Sequence, residues 1–138
     1  FMLADYGWST YSTTVETRTD LVEQNPDLVQ RFMDASIIGW YNFLYGDRTG
    51  AYELIMRDNA DATVESLDAQ LEQLMNLGIV DSGNALEKGI GAMDLARVAD
   101  FLRLSETAGI VPEGSVALEK VATDRFVNKG VGLDLRKN

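Results

Sequence analysis

The chain of 138 residues has a formal net charge of −10, from 22 acidic and 12 basic residues, and 46% of its residues are hydrophobic. This length allows one domain with a sizeable core, and the negative surface disfavours nucleic acid and anionic membranes as partners, because both attract positive charge. The chain contains no histidine and no cysteine, which excludes disulfides, Ser-His-Asp or Cys-His catalytic groups and ordinary structural zinc within it.

The first predicted elements are two short strands that meet near Gly7. Residues 2–6 are predicted to form a mostly buried strand, and residues 11–17 a second one, because β-branched and apolar residues alternate there. A short helical turn is expected at residues 20–24.

A long helix is predicted to begin at Pro26. Asn25 suits the N-cap, Pro26 suits the first helical position, and Asp27 complements the helix dipole. Apolar residues surround this helix, which predicts that it is largely buried. Gly39 in its interior costs about 1 kcal/mol relative to alanine and predicts that another element approaches closely. Gly46 ends the helix.

The rest of the chain is predicted to be mostly helical. Helices are expected at residues 51–58, 63–77, 94–108 and 115–127, separated by turn signals that include Gly78, Gly109 and Pro112. A glycine-containing stretch covers residues 79–93, and residues 129–138 are expected to be a loose tail. The sequence therefore predicts a mainly α fold with two short N-terminal strands.

Several segments together resemble a known family. The order LADYG, TTVETR and NPDLVQRF, followed by GAMDLARVADFL and TDRFV, is similar to the solute-binding component of ABC importers. The most similar branch is the NMT1/THI5-like group, which includes carriers of thiamine pyrimidine precursors and, more distantly, SsuA-like carriers of alkylsulfonates. The resemblance implies a two-lobed α/β parent, a periplasmic binding protein-like fold of type II, of which this chain is a C-terminal fragment.

The resemblance also implies how the fragment is divided and where it acts. Residues 1–17 would be the crossover or hinge strands, residues 18–127 the C-terminal helical part of lobe I, and residues 128–138 a tail. The intact parent would be periplasmic and would deliver a small-molecule solute to an ABC permease in the membrane. The fragment alone is expected to bind weakly, and its uncovered surfaces would favour self-association.

The candidate ligand site is the aromatic cluster Tyr6, Trp8 and Tyr11 around Gly7, with Asp5 beside it. Flat side chains stack on a planar heterocycle, while a carboxylate accepts hydrogen bonds from amino or hydroxyl groups. Packing of these aromatics in a core or between lobes is an equal alternative.

The predicted function is binding by closure of two lobes, not catalysis, with no cofactor and no metal ion. A helical protein-interaction module is the alternative function. A third, an enzyme of thiamine precursor synthesis, is disfavoured because that branch depends on histidine and cysteine. The acidic segment 58–68 lacks the glycine of a calcium loop, and the pairs Gly89/Gly91 and Gly130/Gly132 are predicted to be ordinary loop residues.

Overall fold

The computed structural model describes residues 3–8 and 10–137, and over these residues the chain is helical and contains no strand. Seven α-helices of the described chain follow one another as α1 (Thr19–Gln24), α2 (Pro26–Tyr45), α3 (Thr49–Asp58), α4 (Val64–Asn76), α5 (Ala85–Lys88), α6 (Leu95–Thr107) and α7 (Leu118–Val121). Two 3₁₀ segments, Leu3–Tyr6 and Leu133–Lys137, precede and follow them. None of these helices is long and apolar enough to cross a membrane.

Both predicted N-terminal strands are wrong for the described residues. Leu3–Tyr6 is a 3₁₀ turn, closed by hydrogen bonds from the Gly7 and Trp8 amides to the carbonyls of Ala4 and Leu3; residue 2 lies outside the described residues. Residues 11–17 are irregular. A strand exists only when a neighbour completes its ladder of hydrogen bonds, and no described segment forms backbone hydrogen bonds with residues 12–17. The two-lobed α/β parent fold stays a prediction.

Helix α2 begins at Pro26, as the sequence predicts, and ends before Gly46. Asn25 occupies the N-cap position, but its side chain makes no capping hydrogen bond. One face of α2 is buried, through Val29, Ile37, Tyr41 and Leu44. Ile37, Tyr41 and Leu44 form the core together with Leu71 of α4 and Ile90 from the loop after α5.

The opposite face of α2 is largely exposed in the described part of the chain. Leu28 and Phe32 are 48% and 59% exposed, and Ile38 is exposed as well. A Cβ added at Gly39 would meet no atom within 4 Å. The prediction that α2 is largely buried is therefore wrong for this face, which we call the outer stripe of α2 (Leu28, Phe32, Ala35, Ile38 and Gly39).

Helices α4 and α6 each begin directly after a capping residue. Thr63 accepts a hydrogen bond from the Ser66 amide while the Ser66 hydroxyl accepts one from the Thr63 amide, which is a reciprocal capping box. Asp94 caps α6 by accepting from the Ala96 amide at 2.9 Å. The stretch 79–93 contains the short helix α5, and the predicted helix at 115–127 shortens to the four residues of α7.

The C-terminal segment is anchored, in contrast to the loose tail that the sequence predicts. Leu133–Lys137 packs on α2 and α5, with Val131 and Leu135 against the core. Arg136 fixes the segment through five hydrogen bonds, described below. The sequence predicted a loose tail because the residues that hold this segment lie far away in the sequence.

Candidate functional site

The predicted ligand residues lie at the surface in the 3₁₀ turn and the loop that follows it. Asp5 is exposed, and Tyr6 is 75% exposed. Gly7 has φ +90°, a left-handed conformation that favours glycine, and no atom lies within 4 Å of where its Cβ would be. Gly7 therefore turns the chain, so that Asp5 and Tyr6 precede the turn and Trp8 follows it.

Trp8 and Tyr11 are both docked on α6. The Trp8 ring meets Phe101 edge to face, with ring centroids 4.9 Å apart. The Tyr11 hydroxyl accepts a hydrogen bond from the Asp94 amide at 2.8 Å, and the Arg97 guanidinium lies 4.3 Å from the Tyr11 ring centroid. Arg97 and Phe101 are one helical turn apart, so the two aromatic rings lie along one face of α6.

A second contact from Arg97 fixes the loop between these rings. Its Nη2 donates to the Thr10 carbonyl at 3.0 Å. The sequence identifies the aromatic cluster but gives no indication that α6 supports it, because the docking residues are more than 80 positions away. Phe101 and Arg97 are therefore parts of this surface that sequence reasoning missed.

The described residues of the aromatic turn line neither of the two best-formed cavities. One is a shallow depression between α2 and α4 that includes Leu44, Leu74 and Asp81. What the aromatic turn offers is a one-sided platform, with two rings held by α6 and one exposed carboxylate, Asp5, in the 3₁₀ turn that precedes them.

The second cavity is an open cleft at the start of α2. Asp27 and Gln30 form one side, and Arg125, Phe126 and Lys129 form the other. Gln30 donates to the Asp34 carboxylate and to the Phe126 carbonyl, and accepts from the Lys129 ammonium. Since the Gln30 amide already bonds across the cleft, these contacts join the loop to α2.

A polar cluster closes the core between α2, α5 and the C-terminal segment. The Arg136 guanidinium donates two hydrogen bonds of 2.7 Å to the Asp81 carboxylate, and the Asp81 side chain is only 4% exposed. Arg136 also donates to the carbonyls of Ala85 and Leu86. Its last contact is the Tyr41 hydroxyl at 3.2 Å, which also accepts from the Ile90 amide.

Tyr45 also belongs to this cluster, which shifts the pKa of its hydroxyl. Its hydroxyl donates to Asp81 at 2.7 Å. Burial, together with that hydrogen bond, raises the pKa of Tyr45 to about 12. Hydrogen bonding to Asp81 raises the pKa of Arg136 above its ordinary value. Because each of these charged groups bonds to protein, the cluster is a structural clasp. Asp81 and Arg136 are 55 residues apart, so no spacing pattern in the sequence predicted this clasp.

The two glycine pairs are parts of the same packing and do not form a phosphate loop. The Gly130 amide donates to the Lys88 carbonyl at 2.9 Å, and a Cβ at Gly89 would lie 3.2 Å from the Val131 carbonyl oxygen. A Cβ at Gly132 would lie 2.6 Å from the Tyr41 ring. Glycine is needed here because the backbones and the ring are in close approach.

Asp68 and Met93 also have structural partners. Asp68 accepts a hydrogen bond from the Tyr52 hydroxyl at 2.8 Å. The Met93 backbone is held on both sides by the Asn128 side chain. Across residues 3–8 and 10–137, no three acidic side chains gather closely enough to hold a metal ion.

Comparison with known proteins adds no relative. No protein-family model matches the chain, and neither the curated proteins nor the solved structures include a significant match. The resemblance to solute-binding proteins therefore depends on the sequence segments themselves.

Proposed function

We propose that the chain is part of the solute-binding component of an ABC importer, which binds a small planar heterocycle in the periplasm and delivers it to a membrane permease. The observation that carries this proposal is the aromatic platform on α6. Trp8 and Tyr11 are held in fixed orientations by Phe101, Asp94 and Arg97. Rings fixed before a ligand arrives lose little conformational freedom on binding, so more of the stacking energy contributes to affinity.

The exposed carboxylate supplies the directional part of the proposed site. Asp5 lies in the same turn as Tyr6, and its side chain is exposed. A carboxylate in this position would accept hydrogen bonds from the amino group of a pyrimidine stacked on the rings. The platform covers one face of such a ligand, and a second lobe would cover the other by hinge closure.

The proposal is tested by titrating the isotope-labelled chain with 4-amino-2-methylpyrimidine and following the spectrum by nuclear magnetic resonance. Binding to one wall is expected to be weak, in the millimolar range, with shifts confined to Tyr6, Trp8 and Tyr11. Asp5→Ala removes one charge-assisted hydrogen bond, which is worth about 1.5–3 kcal/mol, and should weaken binding about tenfold or more.

Asp61→Ala is the matched control, because Asp61 is also an exposed aspartate but lies away from the aromatic turn, between α3 and α4. It should leave the titration unchanged. Shifts centred elsewhere, or equal effects of the two alanine variants, would contradict the proposal. So would the absence of any shift at Trp8 at tens of millimolar pyrimidine.

The outer stripe of α2 favours a second candidate function, a helical interaction module. Five neighbouring positions are apolar or small and are exposed on the face opposite the core. Gly39 leaves open space, which permits another helix to approach α2 closely. A contiguous exposed apolar face of this kind is typical of a surface that another polypeptide covers.

Sedimentation equilibrium of the isolated chain tests this candidate. Self-association through the outer stripe predicts that Phe32→Ser weakens the assembly, because burying that ring supplies apolar contact area. Leu54→Ser is the control, since Leu54 is 54% exposed on α3, outside the stripe. A monomer at every concentration, or equal weakening by both variants, would count against self-association through this face.

A further inference from the structure

Two cations line the cleft at the start of α2 without a counter-charge among the described residues. They are Arg125 and Lys129. No carboxylate oxygen in the described part of the chain lies within 4.0 Å of a side-chain nitrogen of either residue, whereas four other basic residues form ion pairs. The chain has a net charge of −10 and only 12 basic residues, so two unpaired cations at one cleft locally reverse the overall charge.

Both side chains have hydrogen-bond donors that a ligand can use. The Arg125 guanidinium lies over the Phe126 ring, 5.2 Å from its centroid, which holds it at the cleft. The Lys129 ammonium donates to the side-chain oxygen of Gln30, which positions it and leaves its other N–H groups for a ligand. Both residues are exposed, so a ligand reaches them without any opening of the fold.

The cleft has room for a small molecule beside the two cations. Its volume is about 270 Å³, and Phe126 contributes an apolar part of the lining. Asp27 also lines the cleft, but it lies in the first turn of α2, where the helix dipole compensates part of its charge. Its carboxylate forms an ion pair with neither Arg125 nor Lys129, so both cations remain available.

We propose that this cleft binds a small phosphorylated molecule through its phosphate group. A phosphate monoester carries a charge of about −1.5 to −2 near neutral pH, which matches two cations. The planar guanidinium of Arg125 fits two phosphate oxygens, and the ammonium of Lys129 acts as a point charge on a third. A carboxylate has too few oxygens and too little charge to satisfy both side chains.

The charge of the whole chain favours a small ligand over a polyanion. The net charge of −10 repels a nucleic acid or an anionic membrane over about 10 Å at about 0.1 M salt, while a compact anion interacts mainly with the cations that it touches. The cleft shares no residue with the aromatic platform or with the outer stripe of α2, so this proposal is independent of both proposed functions.

The test is a titration of the isotope-labelled 138-residue chain with methyl phosphate, followed by nuclear magnetic resonance near neutral pH. Methyl sulfate is the matched probe, because it has the same shape and only one negative charge. Sodium chloride keeps the ionic strength equal in both titrations. Methyl phosphate should shift the amides of residues 27–30 and 125–129 and bind about fivefold more tightly than methyl sulfate, since its additional charge interacts with two cations.

Four variants locate the bound phosphate. Arg125→Gln and Lys129→Gln should each weaken methyl phosphate binding about tenfold, because each removes one charge-assisted contact. Lys120→Gln is the matched control, since Lys120 is an exposed lysine of α7 outside the cleft. Asp27→Asn should strengthen binding about threefold, because it removes a like charge from the lining. All four side chains are exposed, and circular dichroism checks that the helices are retained.

Four outcomes would overturn the proposal. They are the absence of shifts at the cleft, binding of methyl sulfate as tight as that of methyl phosphate, equal affinities in the Arg125→Gln, Lys129→Gln and Lys120→Gln variants, and weaker binding in Asp27→Asn.

Discussion

The close approach of Gly132 to Tyr41 gives the sharpest test of the packing. Gly132 has φ +73°, and a Cβ there would lie 2.6 and 3.0 Å from two carbons of the Tyr41 ring. Tyr41 is 0% exposed, and its hydroxyl is held by the Ile90 amide and by Arg136. The ring therefore has no free space into which it can move, and Gly132→Ala should be strongly destabilising.

The expected loss in the free energy of unfolding for Gly132→Ala has two parts. Alanine at this left-handed φ costs about 1–2 kcal/mol. Steric overlap with a buried ring that is held in place adds about 1–3 kcal/mol. The expected loss in free energy of unfolding for Gly132→Ala is therefore about 2–5 kcal/mol, a large part of the stability of a domain of this size.

Gly114→Ala measures the cost of alanine at a left-handed φ alone. Gly114 has φ +69°, almost the same backbone conformation, but no atom lies within 4 Å of its added Cβ. This control should lose only about 1–2 kcal/mol. Urea unfolding followed by circular dichroism, analysed with a common slope, measures both losses. Equal losses in the two variants would refute the steric reasoning, because only the overlap with Tyr41 distinguishes them.

Two further predictions concern the clasp around Arg136. Asp81→Asn should destabilise the chain by about 1–3 kcal/mol, since the neutral amide removes the counter-charge and one hydrogen-bond acceptor from the Arg136 guanidinium, whose side chain is 24% exposed. Asp100→Asn, which breaks the exposed pair with Arg103, should cost under about 1 kcal/mol; comparable losses in urea unfolding would contradict this. Tyr45→Phe should flatten the alkaline stability profile. The Tyr45 pKa is raised from 10.0 to about 12 in the folded chain, so its contribution is complete below pH 10 and is lost as the pH rises through about 12. An unchanged slope between pH 10 and 12 in the variant would refute this assignment.

The helices were predictable because their signals are local. Pro26 and Asp27 mark the start of α2 within two residues, and Thr63 and Asp94 mark α4 and α6 through bonds that reach only two or three positions ahead. The strands failed because a β-branched pattern gives only a tendency, and the ladder needs a neighbour that the described residues do not supply.

The candidate site was predictable only in part. The aromatic residues around Gly7 can be identified in the sequence, but the contacts of Arg97 and Phe101 that hold them join segments more than 80 residues apart. The anchoring of Arg136 was unpredictable for the same reason, because its partners Asp81 and Tyr41 are 55 and 95 positions away in the sequence. Whether a solute binds on the platform stays a prediction that the pyrimidine titration addresses.

The placement of Tyr41 has a consequence for how the chain folds. The ring packs beside Gly132, and its hydroxyl bonds to Arg136, 95 residues further along. During synthesis, α2 would emerge long before the segment that closes over this ring, and its apolar face would stay open to solvent or chaperones until then. Contacts of such long sequence separation slow folding because the loop must close before they form. Completion of the core is therefore expected to be a late event, and a nascent chain that stops short of residue 132 should remain aggregation-prone.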